Sequence, residues 1–248
     1  MKRAMLIFIG VGLLCVNVCA EFVVSPTAGF SNLYSTEEST KQIQKQIGLI
    51  TDWYIVKERN TITWVPFSFG VSLGEISKSG FTFLASTDFL TGSEMKAVHK
   101  YTLYPDSLPP YAKVTVKTKG LFLQGNLLFG YTYRGIPNLF LTAASGIGAG
   151  GGITQITEVS SSGLTASGLD IELKKADFGI PLYFGASYFF TKNIGINVGI
   201  LDTIGAGWIW YDTPGLPSGL PYFGTGSDIT SPAFTNVFTL KIGPIFKL

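Results

Sequence analysis

Residues 121–134, which read LFLQGNLLFGYTYR, show the pattern that decides the fold of this chain. Taken every second residue, one set is mostly large and apolar: Leu121, Leu123, Gly125, Leu127, Phe129, Tyr131 and Tyr133. The alternate set is smaller or more polar: Phe122, Gln124, Asn126, Leu128, Gly130, Thr132 and Arg134. Because successive side chains of a β-strand point to opposite faces, this alternation predicts a strand with one oily face and one mixed face.

The same alternation recurs in residues 177–190 and 194–210, where the second face carries Gly, Ser, Thr and Asn rather than charge. A soluble sheet would bury its oily face and expose charges on the other. Here the oily faces are expected to meet lipid, where every backbone polar group must be bonded within the protein. The sequence therefore predicts an all-β protein, a transmembrane antiparallel up-and-down β-barrel of about eight strands.

Composition agrees with a lipid-exposed surface. Of the 248 residues, 46% are hydrophobic and 14% aromatic, and only 14% are charged, against roughly 25% charged in ordinary soluble domains. Two of the 18 basic residues lie in the first twenty positions, which leaves sixteen basic against 16 acidic residues in the remainder. This balance predicts no nucleic-acid partner and favours outer-membrane lipid instead.

Residues 1–20 have the features of a cleavable signal peptide. Two basic residues open the segment, residues 4–16 are almost entirely apolar, and Val18 and Ala20 precede the expected cleavage site before Glu21. Both cysteines of the chain lie in this segment, so the exported chain needs no disulfide. The alternative, a lipoprotein anchored at one of these cysteines, is disfavoured because a bulky residue precedes each of them.

Residues 21–248 are predicted to form the barrel. The eight expected strands are 21–34, 61–73, 81–90, 117–133, 139–153, 177–190, 194–211 and 234–248. Four connections are long and are expected to be external loops: 35–60, 91–116, 154–176 and 212–233. The short ones, 74–80, 134–138 and 191–193, are expected to be periplasmic turns. A ten-strand variant remains open, but residues 53–56 and 114–116 are better explained as upward extensions of the second and fourth strands.

The last strand, residues 234–248, resembles the C-terminal assembly signal of outer-membrane barrels. It departs from that signal by ending in Leu rather than Phe, and Pro244 on the apolar parity calls for a bulge. The resemblance implies that the barrel assembly machinery recognises this strand. The residues that carry it recur on alternate positions: Leu240, Ile242, Phe246 and Leu248.

Residues 177–200 resemble the sixth strand, tight turn and seventh strand of OmpW-like small barrels, and residues 139–152 resemble their glycine-rich fifth strand. Leu108-Pro109-Pro110 is similar to a short loop motif of the same family. The resemblance implies a narrow barrel of the porin or channel class that gives passage to a small hydrophobic or amphipathic molecule. The lumen-lining residues it implies are Phe122, Gln124, Asn126, Leu128, Tyr183 and Leu201.

Asp202 falls on the apolar, lipid-facing parity of its strand. A carboxylate in mid-membrane is costly, so a bulge near Leu201 that turns Asp202 inward is expected. Inside the lumen it would pair with Arg134, Lys241 or Lys119. An internal ion pair that plugs the barrel is favoured over a role in ion selectivity.

No catalytic, metal-binding or cofactor-binding residues are predicted, and the chain is not expected to be an enzyme. The glycine pattern at 146–151 matches a dinucleotide fingerprint, but no helix is predicted to follow it. The predicted loop around His99 also contains serines and acidic residues, so a Ser–His–Asp set is possible from its composition. A solvated loop histidine is the commoner case. The exported chain has one histidine and no cysteine, so the case for a metal site is weaker still.

Two functions follow from this interpretation. The first is passage of small apolar molecules across the bacterial outer membrane. The second is a structural or adhesive role, in which the barrel anchors cell-surface loops. A closed lumen bridged by charges would favour the anchor, whereas an apolar lumen that opens outward or sideways would favour passage.

Overall fold

The computed structural model of the chain describes residues 20–47, 50–104, 111–161, 164–212 and 233–248. Within these residues, no helix has the length and apolar character needed to cross a membrane. The structure consists of strands: β1 (Glu21–Ile47), β2 (Ile50–Trp64), β3 (Phe67–Ile76), β4 (Phe81–Tyr104), β5 (Tyr111–Ile136), β6 (Leu139–Ser161), β7 (Leu164–Phe189), β8 (Ile194–Asp212) and β9 (Ala233–Lys247).

Strands β2 and β3 are two segments of one barrel strand, interrupted at Pro66. Trp64 and Phe67 keep the same register against β1, so the chain runs straight through the interruption. Proline has no backbone N–H to give to the ladder. On the neighbouring strand β4, the pairing shifts register between Gly92 and Glu94, as a bulge does. The barrel therefore has eight strands.

The sheet closes because β1 pairs with β9. A row of registered partners that starts at Glu21 and goes once round the barrel returns to β1 at Ser31, ten residues further along. Eight strands with this stagger tilt by roughly 40° and enclose an interior just wide enough for their own side chains. Closure leaves no free strand edge in the membrane.

The two ends of the barrel differ. At one end, called here the turn end, the strand ends at 76–81, 136–139 and 189–194 are joined by tight turns, and both Glu21 and Leu248 lie there. Two of these turns use a left-handed backbone: Gly80 has φ of 91° and Asn138 has φ of 62°. The opposite end, called the loop end, carries the longer hairpins.

The outward face of the wall is a continuous apolar belt. Phe30 and Phe184 are each 60% exposed and Leu121 is 50% exposed, whereas the adjacent Ser31, Tyr183 and Phe122 are buried. One group of exposed aromatic side chains lies near the turn end, as in the girdle of an outer-membrane barrel. They are Phe22, Phe81, Phe129, Tyr131, Tyr133, Tyr188 and Phe190.

All eight predicted strands are present, and the prediction of eight rather than ten is confirmed. The long connections were predicted wrongly, because β1, β2, β4, β5, β6 and β7 continue through most of residues 35–60, 91–116 and 154–176. Residues 53–56 and 114–116 lie in β2 and β5, as the extension interpretation expected. Strands that rise above a membrane need no oily face, so hydrophobic alternation does not mark them. Most of 212–233 lies outside the described residues.

Candidate functional site

The candidate site is the barrel lumen, because the inner wall collects most of the buried polar side chains. The six residues predicted to line it all point inward and are buried: Phe122 (2% exposed), Gln124 (1%), Asn126 (3%), Leu128 (2%), Tyr183 (9%) and Leu201 (1%). Strand parity places them there, since the registers of β5, β7 and β8 run without a slip across these positions.

A buried ion pair crosses the middle of the lumen. Lys241 Nζ lies 2.5 Å from Asp88 Oδ2, and both side chains are only 3% exposed. Lys241 comes from β9 and Asp88 from β4, which are not neighbours in the barrel. Gln124, the registered partner of Asp88 on β5, lies fully buried on the same wall. Charge and amide thus occupy the space that an open channel would need.

Asn126 adds a second polar contact across the lumen. Its Oδ1 accepts a hydrogen bond of 3.5 Å from Thr203 Oγ1 on β8, and its Nδ2 donates one of 3.3 Å to Ser86 Oγ on β4. Strands β4, β5 and β8 are therefore tied together through one amide. Buried polar groups of this kind are stable only when they are hydrogen-bonded.

A second ion pair lies nearer the loop end. Lys175 Nζ is 3.2 Å from Asp177 Oδ2, with side chains 7% and 4% exposed, and the ammonium also lies 5.3 Å from the ring centre of Phe122. The inward positions of β6 opposite this pair are glycines. A Cβ added at Gly150 would lie 2.6 Å from Asp177 Oδ1 and 2.6 Å from the Phe122 ring. The space beside the glycines of β6 is thus filled by side chains of β5 and β7.

The turn end is closed by a cluster of charges and rings, called here the turn-end plug. Glu21 Oε2 lies 3.4 Å from Arg134 Nη1 and 3.7 Å from Lys247 Nζ. Lys247 also lies over the rings of Phe140 and Phe189, 4.1 and 3.9 Å from their centres. The two rings pack on each other with 4.9 Å between centres. This arrangement places both cations beside one carboxylate and against aromatic rings at the entrance from the turn end.

Tyr183 fills the lumen just above the turn-end plug. Added Cβ atoms at Gly185 and Gly199, which are registered partners, would collide with its ring. Its hydroxyl donates to Asn197 Oδ1 at 3.4 Å, and Ser187 Oγ donates to the same oxygen at 3.0 Å. The two glycines therefore make the room in which this ring lies flat against the wall.

The predicted role of Asp202 was wrong. No bulge turns it inward: the registers of β7–β8 and β8–β9 are continuous there, and the side chain faces outward between the exposed residues Ile200 and Ile204. Asp202 Oδ1 accepts a hydrogen bond of 2.6 Å from Asn236 Nδ2 on the neighbouring strand. The continuous ladder outweighs the cost of one outward carboxylate, which is smaller than that of Lys or Arg.

Lys241 and Arg134 do lie inside the barrel, but with partners other than Asp202. Lys241 pairs with Asp88 and Arg134 with Glu21. Sequence reasoning missed both acids, although parity could have found Asp88, which alternates with the outward residues of β4. The side chain of Lys119, the remaining predicted partner, lies outside the described part of the structure.

Three further predictions concern chemistry. The part of the chain that the structure describes holds no group of three or more metal-ligating side chains. His99 lies in β4 rather than in a loop, and its side chain is outside the described set. The glycines of 146–151 lie in β6, not at the start of a helix.

Comparison with known proteins places the chain among barrel proteins. A family model described as "Domain of unknown function (DUF2715)" matches residues 18–248. No curated protein matches the sequence. The outer-membrane protease OmpT from Escherichia coli has a similar structure, with 10% identity, coverage of 92% of this chain and 97% of that one, and a TM-score of 0.52.

A major outer-membrane protein from Thermus thermophilus is similar at 12% identity, with 92% and 99% coverage and a TM-score of 0.51. Outer-membrane protein OprG from Pseudomonas aeruginosa matches at 14% identity, with 93% and 96% coverage and a TM-score of 0.48. At such identities the likeness to the first two structures shows the fold alone, which is that of a small outer-membrane β-barrel.

Proposed function

We propose, from the premise that this chain belongs to the DUF2715 family, that it is a plugged outer-membrane anchor that holds long β-hairpins at the cell surface. The observation that carries the proposal is the buried Lys241–Asp88 ion pair across the lumen. The turn-end plug around Glu21 closes one end independently of it. A barrel of this width that is filled with its own side chains has no room for a water-filled pore.

The hairpins support the surface role. Strands β1 and β2 pair from Leu33–Trp64 to Ile47–Ile50, and β6 and β7 pair up to Ser161–Leu164. At roughly 3.3 Å per residue, strands of 23 to 27 residues are far longer than the 9–11 residues needed to cross a membrane. Their excess length projects from the loop end as paired strands, which can present a binding surface with little loss of entropy.

The orientation belongs to the same proposal. Residues 1–20 direct export and are removed before Glu21, the barrel assembly machinery recognises the last strand, and the loop end faces outward in the bacterial outer membrane. Enzymatic activity is not part of it. Mass spectrometry of the protein from outer membranes tests the cleavage, with a chain that starts at Glu21 as the expected result.

The surface role is tested by inserting a short epitope between residues 162 and 163, in the sequence that connects β6 to β7. Antibody is expected to label intact cells. The matched control carries the epitope between Lys78 and Ser79 at the turn end and is expected to be labelled only after permeabilisation. Equal labelling of both on intact cells, or labelling of the control alone, contradicts the proposed orientation.

The plug is tested in reconstituted membranes. Ion conductance and entry of a fluorescent fatty acid are expected to stay at the level of protein-free membranes. Steady conductance through the wild-type barrel, or faster entry of the fatty acid, overturns the anchor proposal. Heat-dependent migration on a gel verifies that the inserted protein is folded.

Passage of small apolar molecules in the manner of OmpW-like barrels is the second candidate. The half of the lumen near the turn end favours it, since Leu84, Leu128, Tyr183 and Leu201 form part of one apolar cluster there. The β1–β9 ladder is also interrupted: no residue between Val24 and Ala28, the stretch that contains Pro26, is paired with β9. If this candidate holds, Leu128→Ala is expected to change the rate of fatty acid entry, whereas the outward Leu127→Ala leaves it unchanged.

A further inference from the structure

The outer wall of the barrel is indented on β6 and β7, where two diagonal outward positions hold alanine. These are Ala143 and Ala186, and the groove around them has a volume of about 540 Å³. Tyr131 and Phe184, the registered partners of Ala143, rise on either side of it. The groove is called here the lipid-side groove, and the outward residues that define it are Tyr131, Tyr133, Ala143, Phe184, Ala186 and Leu240.

The floor of the lipid-side groove is backbone. Thr142, Gly185 and Gly199 form one registered row across β6, β7 and β8, and all three line the groove. Behind this row, inside the barrel, the ring of Tyr183 lies against the two glycines. The β7–β8 ladder is continuous at these positions. The groove is therefore closed toward the lumen and open toward the surrounding membrane.

The groove is apolar along its length and carries hydroxyl groups at one end. None of its lining residues in the described part of the chain is charged. Tyr131 and Tyr133, at the end nearest the turns, are 55% and 48% exposed and belong to the aromatic girdle. Tyrosines at this level of a membrane protein place the ring in the apolar region and the hydroxyl among polar headgroups.

The depth of the groove matches one leaflet of the membrane. Leu240, at its far end, lies seven residues before Lys247, the last residue of β9 at the turn end. At roughly 3.3 Å per residue and a tilt of roughly 40°, this separation corresponds to a height of roughly 18 Å. The hydrocarbon core is about 30 Å thick, so the groove extends from the girdle to near the middle of the core.

We propose that the lipid-side groove is a phospholipid site, which holds one acyl chain of a lipid from the leaflet at the turn end. The chain lies over the two alanines, and the headgroup stays at the level of Tyr131 and Tyr133. A lipid of that leaflet has the same polarity and the same depth as the groove. A void in its place would lose the dispersion contacts of the lining atoms.

A chain in the groove differs from the lipids around the rest of the wall, because it contacts protein on its sides as well as beneath. The strands that form the groove are held by continuous ladders, so the site is preformed. Binding then costs little beyond the conformational freedom of the acyl chain itself. The inference holds for an anchor and for a passage alike, because the groove lies outside the lumen.

Photolabelling in a bilayer tests the site with the processed barrel, residues 21–248, purified from outer membranes. The probe is a phosphatidylcholine with a diazirine in the middle of one acyl chain, diluted into phosphatidylethanolamine and phosphatidylglycerol vesicles. Adducts are expected to be about tenfold more frequent around Ala143 and Ala186 than around Val71 and Leu73, two exposed outward residues of β3. Equal labelling of the two regions overturns the site.

Filling the groove provides the matched comparison. The double variant Ala143→Leu, Ala186→Leu is expected to reduce labelling of β6 and β7 to the level of β3. The control is Ala28→Leu, Ala149→Leu, which adds the same side chains at exposed outward positions outside the groove and is expected to label like the wild type. Heat-dependent gel migration verifies folding. Undiminished labelling of the folded, filled variant contradicts the proposal.

The headgroup end has its own test. Tyr131→Phe with Tyr133→Phe keeps the rings and removes both hydroxyls, and is expected to lower labelling in the groove by about threefold through lost hydrogen bonds to the headgroup. Unchanged labelling contradicts the placement of the headgroup at this end.

A second copy of the chain is the competing occupant. Residues 21–248 contain no cysteine, so Ala186→Cys introduces a single thiol in the groove. Oxidation in vesicles is expected to leave this variant monomeric, because an acyl chain covers the thiol. A high yield of disulfide-linked dimer shows that protein fills the groove instead and overturns the lipid site.

Discussion

Asp88 and Asp202 are both aspartates within the membrane-spanning part of the wall, and the barrel treats them in opposite ways. Asp88 points inward and meets Lys241, 153 residues away in sequence and on a strand that is not its neighbour. Asp202 points outward and meets only Asn236, on the adjacent strand. Inside a narrow barrel the side chains of all strands point toward the axis, so side chains from distant strands can touch. Outside, side chains point away from one another, and only adjacent strands share contacts. The lumen can thus bring an opposite charge from a distant strand to a carboxylate, whereas the outer wall offers Asp202 a neutral amide from the adjacent strand.

The largest expected effect comes from breaking the inner pair. Lys241→Met leaves the Asp88 carboxylate buried without its partner, which is expected to lower the free energy of unfolding by about 3–5 kcal/mol. Urea unfolding in lipid vesicles, followed by tryptophan fluorescence, measures it. The double variant Asp88→Leu, Lys241→Met is the control and is expected to lie near the wild type, because a well-packed apolar pair often replaces a buried ion pair without loss. A single variant as stable as the wild type would show that the pair carries no such energy.

Glycines on the two faces give the next comparison. Gly150 faces the lumen, where an added Cβ would lie 2.6 Å from Asp177 Oδ1, whereas Gly125 faces outward with its nearest contact at 4.0 Å. Gly150→Ala is expected to destabilise the barrel by about 1–2 kcal/mol through overpacking. Gly125→Ala is expected to stabilise it by about 0.5 kcal/mol, since a strand glycine loses more chain entropy on folding. The same unfolding assay decides, and equal effects for the two would refute a filled lumen.

The third substitution is expected to change stability in the opposite direction from the first. Asp202→Leu is expected to raise the free energy of unfolding, measured in the same assay, by about 1 kcal/mol, because it removes a carboxylate from the apolar belt. A destabilised variant would mean that the Asp202–Asn236 hydrogen bond contributes more to stability than the outward carboxylate costs.

Much of this fold could be predicted because the membrane imposes it on every strand. Alternation in residues 121–134, 177–190 and 194–210 decided which side chains face inward, including Phe122, Gln124 and Leu201. The hairpins above the belt could not be delimited, since β-pairing outside lipid requires no apolar face. Asp202 was assigned the wrong face because the prediction considered only the free-energy cost of placing one carboxylate in lipid. A bulge that turned it inward would break backbone hydrogen bonds of the ladder in the membrane, which costs more.

The sequence by itself determined the closed antiparallel barrel and the side of the wall on which most residues lie, because a period of two in hydrophobicity is readable one strand at a time. Only the tertiary structure decided which charges meet: Lys241 with Asp88, Arg134 with Glu21, and Asp202 with Asn236. The physical reason is the stagger of the strands. It places residues from remote parts of the chain at one height in the lumen, and no local pattern in the sequence records that height.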